Sequence, residues 1–489
     1  MAENEEPLLP PVYYDGCPGC EVEQWKDNNR RVPFGIFIHI WFITLCGALP
    51  ISSLFPFLYF MIRDLHVAKR VEDIGFYAGF VGSSFMLGRA LTSVFWGIIA
   101  DRYGRKPVII IGIIVVVIFN TLFGLSTSYT MAIVTRFLLG SLNGLLGPIK
   151  AYSVEVSRPE YQALGISLVS TAWGMGLVVG PSIGGALAQP ADKFPNLFPK
   201  DSFLGRFPYF LPCLVISIFA AVVLGTCYWL PETLHKHHQS KPSSVITEGL
   251  EGSFHGTEVK IDLEEFEGND AKNSNENLLM NWPLMSSVIV YCVFSLHDMA
   301  YTEIFPLWAE SDRTYGGLGV SSQFVGEVLA ISGFSLLAFQ LFVYPPVEKL
   351  VGHINLFRAA ALLAIPLNAA YPFIAKLSGP ELSIMVNCAS LMKTVFSTAI
   401  VTGLFILQNN AVAQHQRGAA NGISMTGQSI FKAIGPAAGG AIFSWTQKRR
   451  NASFLPGNHM VFFILNVVEF VGLLMSFKPF LSYSPQKKR

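Results

Sequence analysis

The stretch VYCVFSLHDMAYTEIFPLWAE (290–310) places His297, Asp298 and Glu303 in a run that otherwise avoids water. A carboxylate in an apolar medium is costly unless it meets a cation or a wet cavity, so these residues must face one or the other. Asp298 and Glu303 are five residues apart, about 140° around a helix, so they cannot share one site looking in one direction. One of them suits coupling to a proton or solute, and the other suits a pairing nearer the end of the run. A histidine or carboxyl group of tunable pKa fits proton exchange, although a purely structural ion pair would use the same residues. Basic counter-charges lie in other apolar runs: Arg89, Arg136, Lys393 and Lys432, with His39 near the first. Glu327 is expected to snorkel at the start of its run, and Glu469 to face the periphery. A cavity with that excess of cations would favour carboxylate-bearing, anionic or zwitterionic solutes. Near the amino terminus, DGCPGC carries Cys17 and Cys20 at a spacing open to three readings: a redox couple, half of a zinc site or two ordinary thiols.

Composition decides what must position these residues. The 489-residue chain is 51% hydrophobic and only 14% charged, with a mean hydropathy of +0.45. Soluble domains carry about 25% charged residues, so the deficit points to a membrane protein. Lys plus Arg (34) balances Asp plus Glu (33), and no overall field argues for nucleic acid. Seven cysteines are too sparse for a disulfide framework. The acidic, polar start lacks the basic and apolar regions of a signal peptide, which predicts a cytosolic amino terminus.

Helices of about 20 apolar residues are needed to cross a bilayer. Twelve such spans are expected near 34–62, 74–100, 107–126, 130–153, 162–188, 207–230, 282–309, 322–346, 354–377, 381–412, 419–445 and 459–480. An even number returns both termini to one side. The basic segments DRYGRKP (101–107), LHKHHQSK (234–241) and the closing QKKR fall on that side and make it cytosolic, although QKRR (447–450) falls opposite. The expected organisation is a tail (1–33), a six-helix half (34–230), a disordered linker rich in Ser, Glu, Asn and Gly (231–281), a second half (282–480) and a short tail (481–489). GPxxGG occurs in the fifth helix of each half, at Gly180–Gly185 and Gly435–Gly440, which suggests a duplicated unit.

Three motifs bear on mechanism. WGIIADRYGRKP (96–107) ends the second span. Its Gly97 would allow close helix approach, Asp101 would cap or pair at the helix mouth, and Arg102, Arg105 and Lys106 supply cytosolic cations on either side of Gly104. Glu155, at the end of the fourth span, is an acid near the same loop. Arg136, Gly140 and Gly144 share one face of the fourth span, where small residues let helices pack closely. The fifth span reads Ser167, then Gly176, Gly180, Pro181, Gly184 and Gly185, a helix built to pack tightly and bend.

These motifs resemble the loop 2–3, span-four and antiporter signatures of the major facilitator superfamily. The expected fold is therefore all-α, twelve transmembrane helices in two six-helix halves. The resemblance implies that Asp101 and Arg102 latch the halves on the cytosolic side with Glu155 in the same network, that Arg136 takes part in proton coupling, and that the transport is exchange. DGCPGCEVEQWK before the first span, Leu204-Gly205-Arg206-Phe207 before the sixth and PETLH (231–235) after it together resemble the zinc-induced facilitator-like group of plant transporters. That likeness implies a proton-coupled antiporter exporting a metal chelator of the nicotianamine or phytosiderophore type, or its zinc or iron complex, across the vacuolar or plasma membrane. EEPLL (5–9) is close to an acidic dileucine sorting signal and leans towards the vacuole. Direct Zn²⁺ or K⁺ exchange and a membrane metal sensor are the alternatives. Direct zinc transport would call for a His/Asp cluster on neighbouring helices, and only His297-Asp298 with a distant His39 offers one. Without a nucleophile–base pair or nucleotide loop, an enzyme is not expected, nor is a resident cofactor. The expected partners are a small-molecule substrate, protons and the lipid bilayer, with no nucleic acid.

In a reducing cytosol Cys17 and Cys20 should stay thiols, and a thioredoxin-type site would need a βαβ setting that is absent. Two thiolates do not complete a tetrahedral zinc site alone, but His235, His237 or His238 on the same face would extend it. Regulatory metal binding and plain docking or structural roles are both open for this stretch.

Overall fold

The computed structural model describes residues 13–29, 33–235, 278–412, 417–449 and 452–482. Most of the expected linker, His237, His238, the EEPLL motif and the closing basic tail lie outside them.

Eighteen α-helices follow one another among the described residues. The first half comprises α1 (Pro18–Asn28), α2 (Phe34–Ser52), α3 (Phe55–Asp64), α4 (Ile74–Tyr103), α5 (Arg105–Gly124), α6 (Tyr129–Leu142), α7 (Leu146–Glu155), α8 (Gln162–Leu187), the short α9 (Pro190–Lys193) and α10 (Phe203–Arg206), and α11 (Phe210–Thr226). The second comprises α12 (Trp282–Glu310), α13 (Ser322–Ala338), α14 (Tyr344–Val351), α15 (His353–Ile374), α16 (Gly379–Asn410), α17 (Arg417–Gln447) and α18 (Asn458–Met475). All twelve expected spans have a counterpart. Among the described residues nine helical segments, α6 and α7 taken as one, are long and apolar enough to cross a membrane, or ten if the bent Val71–Tyr103 segment counts as one span. The remaining crossings use the shorter α13 and the more polar α17.

Three spans expected to be continuous are broken. The first divides between α2 and α3, where Pro50 and Pro56 remove backbone donors on either side of the break. The fourth divides at Asn143–Leu145, where Gly144 lies against the Trp96 indole. The eighth loosens into a π-helical turn, Phe339–Val343, before Pro345 and Pro346 open α14.

Each end of the bundle has its own character. The tail face carries α1, the α4–α5 turn and residues 227–235; the far face carries α9, α10 and the α12–α13 connection. On the far side one apolar core runs through both halves, joining Leu54, Phe57 and Tyr209 to Trp308, Tyr371 and Phe462. Towards the tail face the core splits. One cluster, with Phe37, Ile113 and Tyr152, draws only on the first half, and another, with Phe294, Phe357 and Leu404, only on the second.

The far-side seam is made by two cross-half helix pairs, α4 with α17 and α8 with α13. Both are backbone against backbone. A methyl group on Gly185 would sit 2.9 Å from Gly326 Cα, and one on Gly79 would sit 3.1 Å from Gly440 Cα. The final glycines of the two GPxxGG repeats, Gly185 and Gly440, thus each meet the opposite half. Ser83 Oγ accepts from Ala437 N at 2.7 Å, Asp73 pairs with Lys448, and Lys193 Nζ donates to Ser322 Oγ at 3.1 Å. These cross-half bonds lie on the far side. At the other end of α4, Gly97 has nothing within 4 Å of where a Cβ would stand. The close approach expected at Gly97 is therefore not made: the halves touch at the far face and diverge towards the tail face.

Candidate functional site

Between the halves lies a cavity of about 360 Å³, reached by side chains of α2, α8, α12, α13, α16 and α17. Asp298, Lys393 and Lys432 supply its charges, with Tyr301, Gln428 and Trp173 among the remaining walls. Ser397 Oγ donates to Asp298 Oδ1, which fixes the carboxylate against α16. Lys393 is almost fully buried, its ammonium 5.1 Å from the Tyr301 ring centroid, a cation–π arrangement. Tyr301 is held in turn by a 2.6 Å hydroxyl–hydroxyl bond to Tyr371. One acid and two bases line the cavity, whereas Arg89 and Arg136, grouped with the two lysines from sequence, do not. Lys150, exposed on α7 and within electrostatic reach of Arg89 on α4, is a cation that sequence reading missed. Arg89 and Lys150 both feel the charge of Lys432.

Asp298 and Glu303 do point to different places. Glu303 is buried at the α12–α4 contact, with Oε2 2.8 Å from the position of a Gly82 Cβ. Neither of its oxygens has a hydrogen-bond partner among the described residues. The countercharge acting on it is Arg136, itself buried to 2% exposure, which donates to Pro50 O at 2.9 Å and lies by the rings of Phe85 and Phe123. Arg136 is thus a core residue. Gly140 earns its place beside it, because a Cβ there would meet the Phe85 backbone.

Three expectations are corrected. Glu469 does not face the periphery: it is fully buried and pairs with His297, Nδ1 to Oε2 at 2.8 Å. The other ring nitrogen of His297 lies 3.4 Å from Asn368 Nδ2. His297 therefore belongs to a closed polar knot joining α12, α15 and α18, and it does not line the cavity. His39 does not line it either; it bonds to Gly35 O, one turn back on its own helix, at 2.7 Å. In each case a helix face, invisible in hydropathy, decides the outcome.

The antiporter-like motif works as packing. Gly176, Gly180 and Gly184 lie against Ala48, Ser52 and Ser53 of the first span, and Ser52 Oγ donates to Gly176 O at 2.8 Å. Gly185 and the Pro181 carbonyl cross to the other half, both against Gly326, while Ser167 is exposed near the tail face.

At the tail face Arg105 pairs with Asp101 at 2.5 Å and with Glu155 at 3.1 Å. Glu155 also accepts from Thr233 Oγ1, and its carbonyl accepts from Lys26 Nζ at 2.9 Å. Glu232, not singled out from sequence, caps the start of α5 by accepting from Arg105 N at 3.0 Å and Lys106 N at 3.1 Å, where a helix favours an anion. Gly104 is required there twice over: its φ is +111°, and a side chain would strike the Glu232 carboxylate. Lys106 Nζ reaches Tyr228 O at 3.0 Å, whereas Arg102 is exposed over Tyr103 and joins no ion pair among the described residues. The network thus lies wholly within the first half, with Asp101 open to solvent.

Beside it the tail docks. Cys17 caps α1 and Cys20 follows one turn later, both buried, and Gly19 N donates to Leu234 O at 3.2 Å. His235 Nδ1 is 3.9 Å from Cys17 Sγ and 3.8 Å from Cys20 Sγ. Among the described residues these three form a group able to hold a metal ion.

Two six-helix halves closed at one face, parted at the other, and enclosing a charged cavity at their interface define a membrane transporter fold. Known proteins agree. The family model described as Major Facilitator Superfamily matches residues 40–436. Protein ZINC INDUCED FACILITATOR-LIKE 1 of Arabidopsis thaliana is 58% identical, over 99% of this chain and 100% of its own. Protein ZINC INDUCED FACILITATOR 1 of the same plant is likewise 58% identical, over 99% and 100%. The crystal structure of a D-xylose-proton symporter superposes with a TM-score of 0.66 at 15% identity, covering 91% of this chain and 97% of that one. A bacterial homologue of the human lysosomal transporter Spinster, in an inward-facing and occupied conformation, gives 0.65 at 15%, covering 90% and 95%. The chain belongs to the major facilitator superfamily and, within it, to the zinc-induced facilitator-like group of plant transporters.

Proposed function

We propose that the protein is a proton-coupled exchanger that moves an organic metal chelator of the nicotianamine or phytosiderophore type, or its zinc or iron complex, out of the cytosol into the vacuole or cell exterior. The observation that carries this reading is the placing of Asp298, Lys393 and Lys432 around one cavity. Two ammonium groups suit the carboxylates of such a solute, and Asp298 suits its amines. A bare Zn²⁺ ion would be repelled by the same lysines, which disfavours direct metal exchange. The tail face is taken as cytosolic, so the conformation described here receives solute from the cytosol. Alternating access would then close the tail face and part the far seam. Asp101, exposed and ready, would engage the second half on closure. Glu303, facing Arg136 across the interface between halves, supplies a carboxyl group that can gain and lose a proton as that interface opens.

Uptake into proteoliposomes under an imposed pH gradient tests the reading, with free chelator, zinc–chelator complex, Zn²⁺ and K⁺ offered separately. Chelator or complex should move and the bare ions should not. Losing one charge-assisted bond costs about 1.5–3 kcal/mol, so Asp298→Asn and Lys432→Gln should each lower chelator flux by roughly 10- to 150-fold. Glu303→Gln should leave counterflow intact while removing the response to the pH gradient. Movement of Zn²⁺ or K⁺ alone, or chelator flux indifferent to both cavity variants, refutes it.

A further inference from the structure

We infer that Cys17, Cys20 and His235 form a binding site for a zinc-type divalent cation, and that its occupancy sets the order of the tail-face network. A tetrahedral zinc ion with Zn–S near 2.3 Å and Zn–N near 2.05 Å places sulfur and nitrogen about 3.6 Å apart. The observed separations, 3.9 and 3.8 Å, need only a few tenths of an ångström of contraction. The three ligand atoms already lie within 4.8 Å of one another. Three further features indicate a built site. The Gly19 position has no room for a side chain, because a Cβ there would sit 2.8 Å from the His235 ring. Gly19 N holds the chain of Leu234, which sets His235 over the start of α1. Glu23 Oε1 lies 3.3 Å from His235 Nε2, leaving Nδ1 to face the sulfurs. A carboxylate behind an imidazole is the usual orienting partner of a ligating histidine. Binding releases the two thiol protons, and the described residues supply three of the four ligands.

The link to the gate runs through adjacent residues. His235 follows Glu232 and Thr233, which hold the start of α5 and the Glu155 carboxylate, while α1 reaches the carbonyl of Glu155 through Lys26. One cavity of about 300 Å³ is lined by His235, Glu23, Lys26, Asp101, Arg105 and Glu155 alike. A metal that staples α1 to residues 231–235 therefore clamps both ends of the Arg105–Glu155 pairing. This regulatory step rests on the transport reading above; the binding site does not.

The test uses the full chain, purified in detergent, stripped by chelation and titrated with Zn²⁺ alone, then with Co²⁺ for its thiolate charge-transfer absorption. Wild type should bind one ion tightly through two thiolates. Cys17→Ser/Cys20→Ser should lose the ion and the absorption band. Glu23→Gln keeps all three ligands and should weaken affinity by about 10- to 100-fold. Wild-type binding no tighter than that of the double serine variant, in protein that remains monodisperse, overturns the site. If binding holds, chelator flux in proteoliposomes should rise severalfold on loading the tail face with Zn²⁺ in wild type and stay flat in the double serine variant. Equal flux with and without Zn²⁺ overturns the regulatory role while leaving the site. Failure of all chelator flux, by contrast, strikes at the transport reading.

Discussion

Gly185→Ala sets up a contest between two conformations whose sign can be worked out from the seam. The added methyl would stand 2.6 Å from Ser322 O and 2.9 Å from Gly326 Cα, where ordinary contact begins near 3.4 Å. Both opposing atoms are backbone, so neither can swing aside as the tip of a long side chain would. Relief requires α8 and α13 to part by roughly half an ångström or more, and these helices belong to different halves. Overpacking of this kind costs about 1–3 kcal/mol. The cost falls on the far-closed conformation alone, so it shifts the balance towards far-open by about 5- to 150-fold. Gly97→Ala is the counterpart. Nothing lies within 4 Å of its Cβ position, so the variant costs the present conformation no contact. Its helix-propensity gain applies in both conformations and cancels. If Gly97 packs against the second half when the tail face closes, the methyl penalises that state instead and favours tail-open. Spin-label pairs spanning each face, read as distance distributions in nanodiscs, report both shifts. Gly185→Ala should lengthen the far-face distance and Gly97→Ala should not. An unmoved far-face distribution in Gly185→Ala, or shifts of the same sign in both variants, refutes the reasoning.

Other consequences follow from the polar groups. Glu469→Ala strands the buried His297, and breaking such a pair costs about 3–5 kcal/mol; thermal unfolding in detergent should show a large loss of Tm, whereas Asp298→Asn, at a cavity wall, should leave Tm nearly unchanged. Burial lowers the Lys193 ammonium to about 8 despite nearby Glu310, against about 10.4 in water. A base with a lowered pKa penalises the conformation that buries it, fully below about pH 8 and progressively less from about pH 8 to 10. Parting of Gly185 from Ser322 would free Lys193, so the far-closed fraction should rise with pH across that window, and Lys193→Met should flatten the slope of the same spin-label distances.

Much of this architecture was legible because hydropathy and small-residue spacing are local. Twelve apolar runs, the GPxxGG echo and the Gly176–Gly180–Gly184 face each need only a few consecutive turns of helix to be read. Pairings across the bundle are different in kind. Glu469 and His297 are 172 residues apart in sequence, and nothing local distinguishes an acid turned to lipid from one turned to a buried imidazole. Glu232, Lys150 and Glu23 escaped notice for the same reason: their roles arise from which helix end or loop lies opposite, a property of crossing geometry. His235 was named from sequence beside His237 and His238 because that loop shares a face with the cysteines, and of the three only His235 lies among the described residues.

Gly97 and Gly185 make the sharper distinction. Both were read from sequence as sites of close helix approach, by the same argument from a missing side chain. Only Gly185 makes that approach here, while Gly97 faces open space beside an exposed Asp101. A glycine inside a helix costs about 0.5–1 kcal/mol relative to alanine, so a single arrangement of the halves would give Gly97 no compensating contact. A chain that must satisfy two arrangements in turn has reason to carry glycines for both, one set in use and the other waiting. The unfilled surface at Gly97 is then the part of the sequence addressed to the conformation in which the tail face is shut.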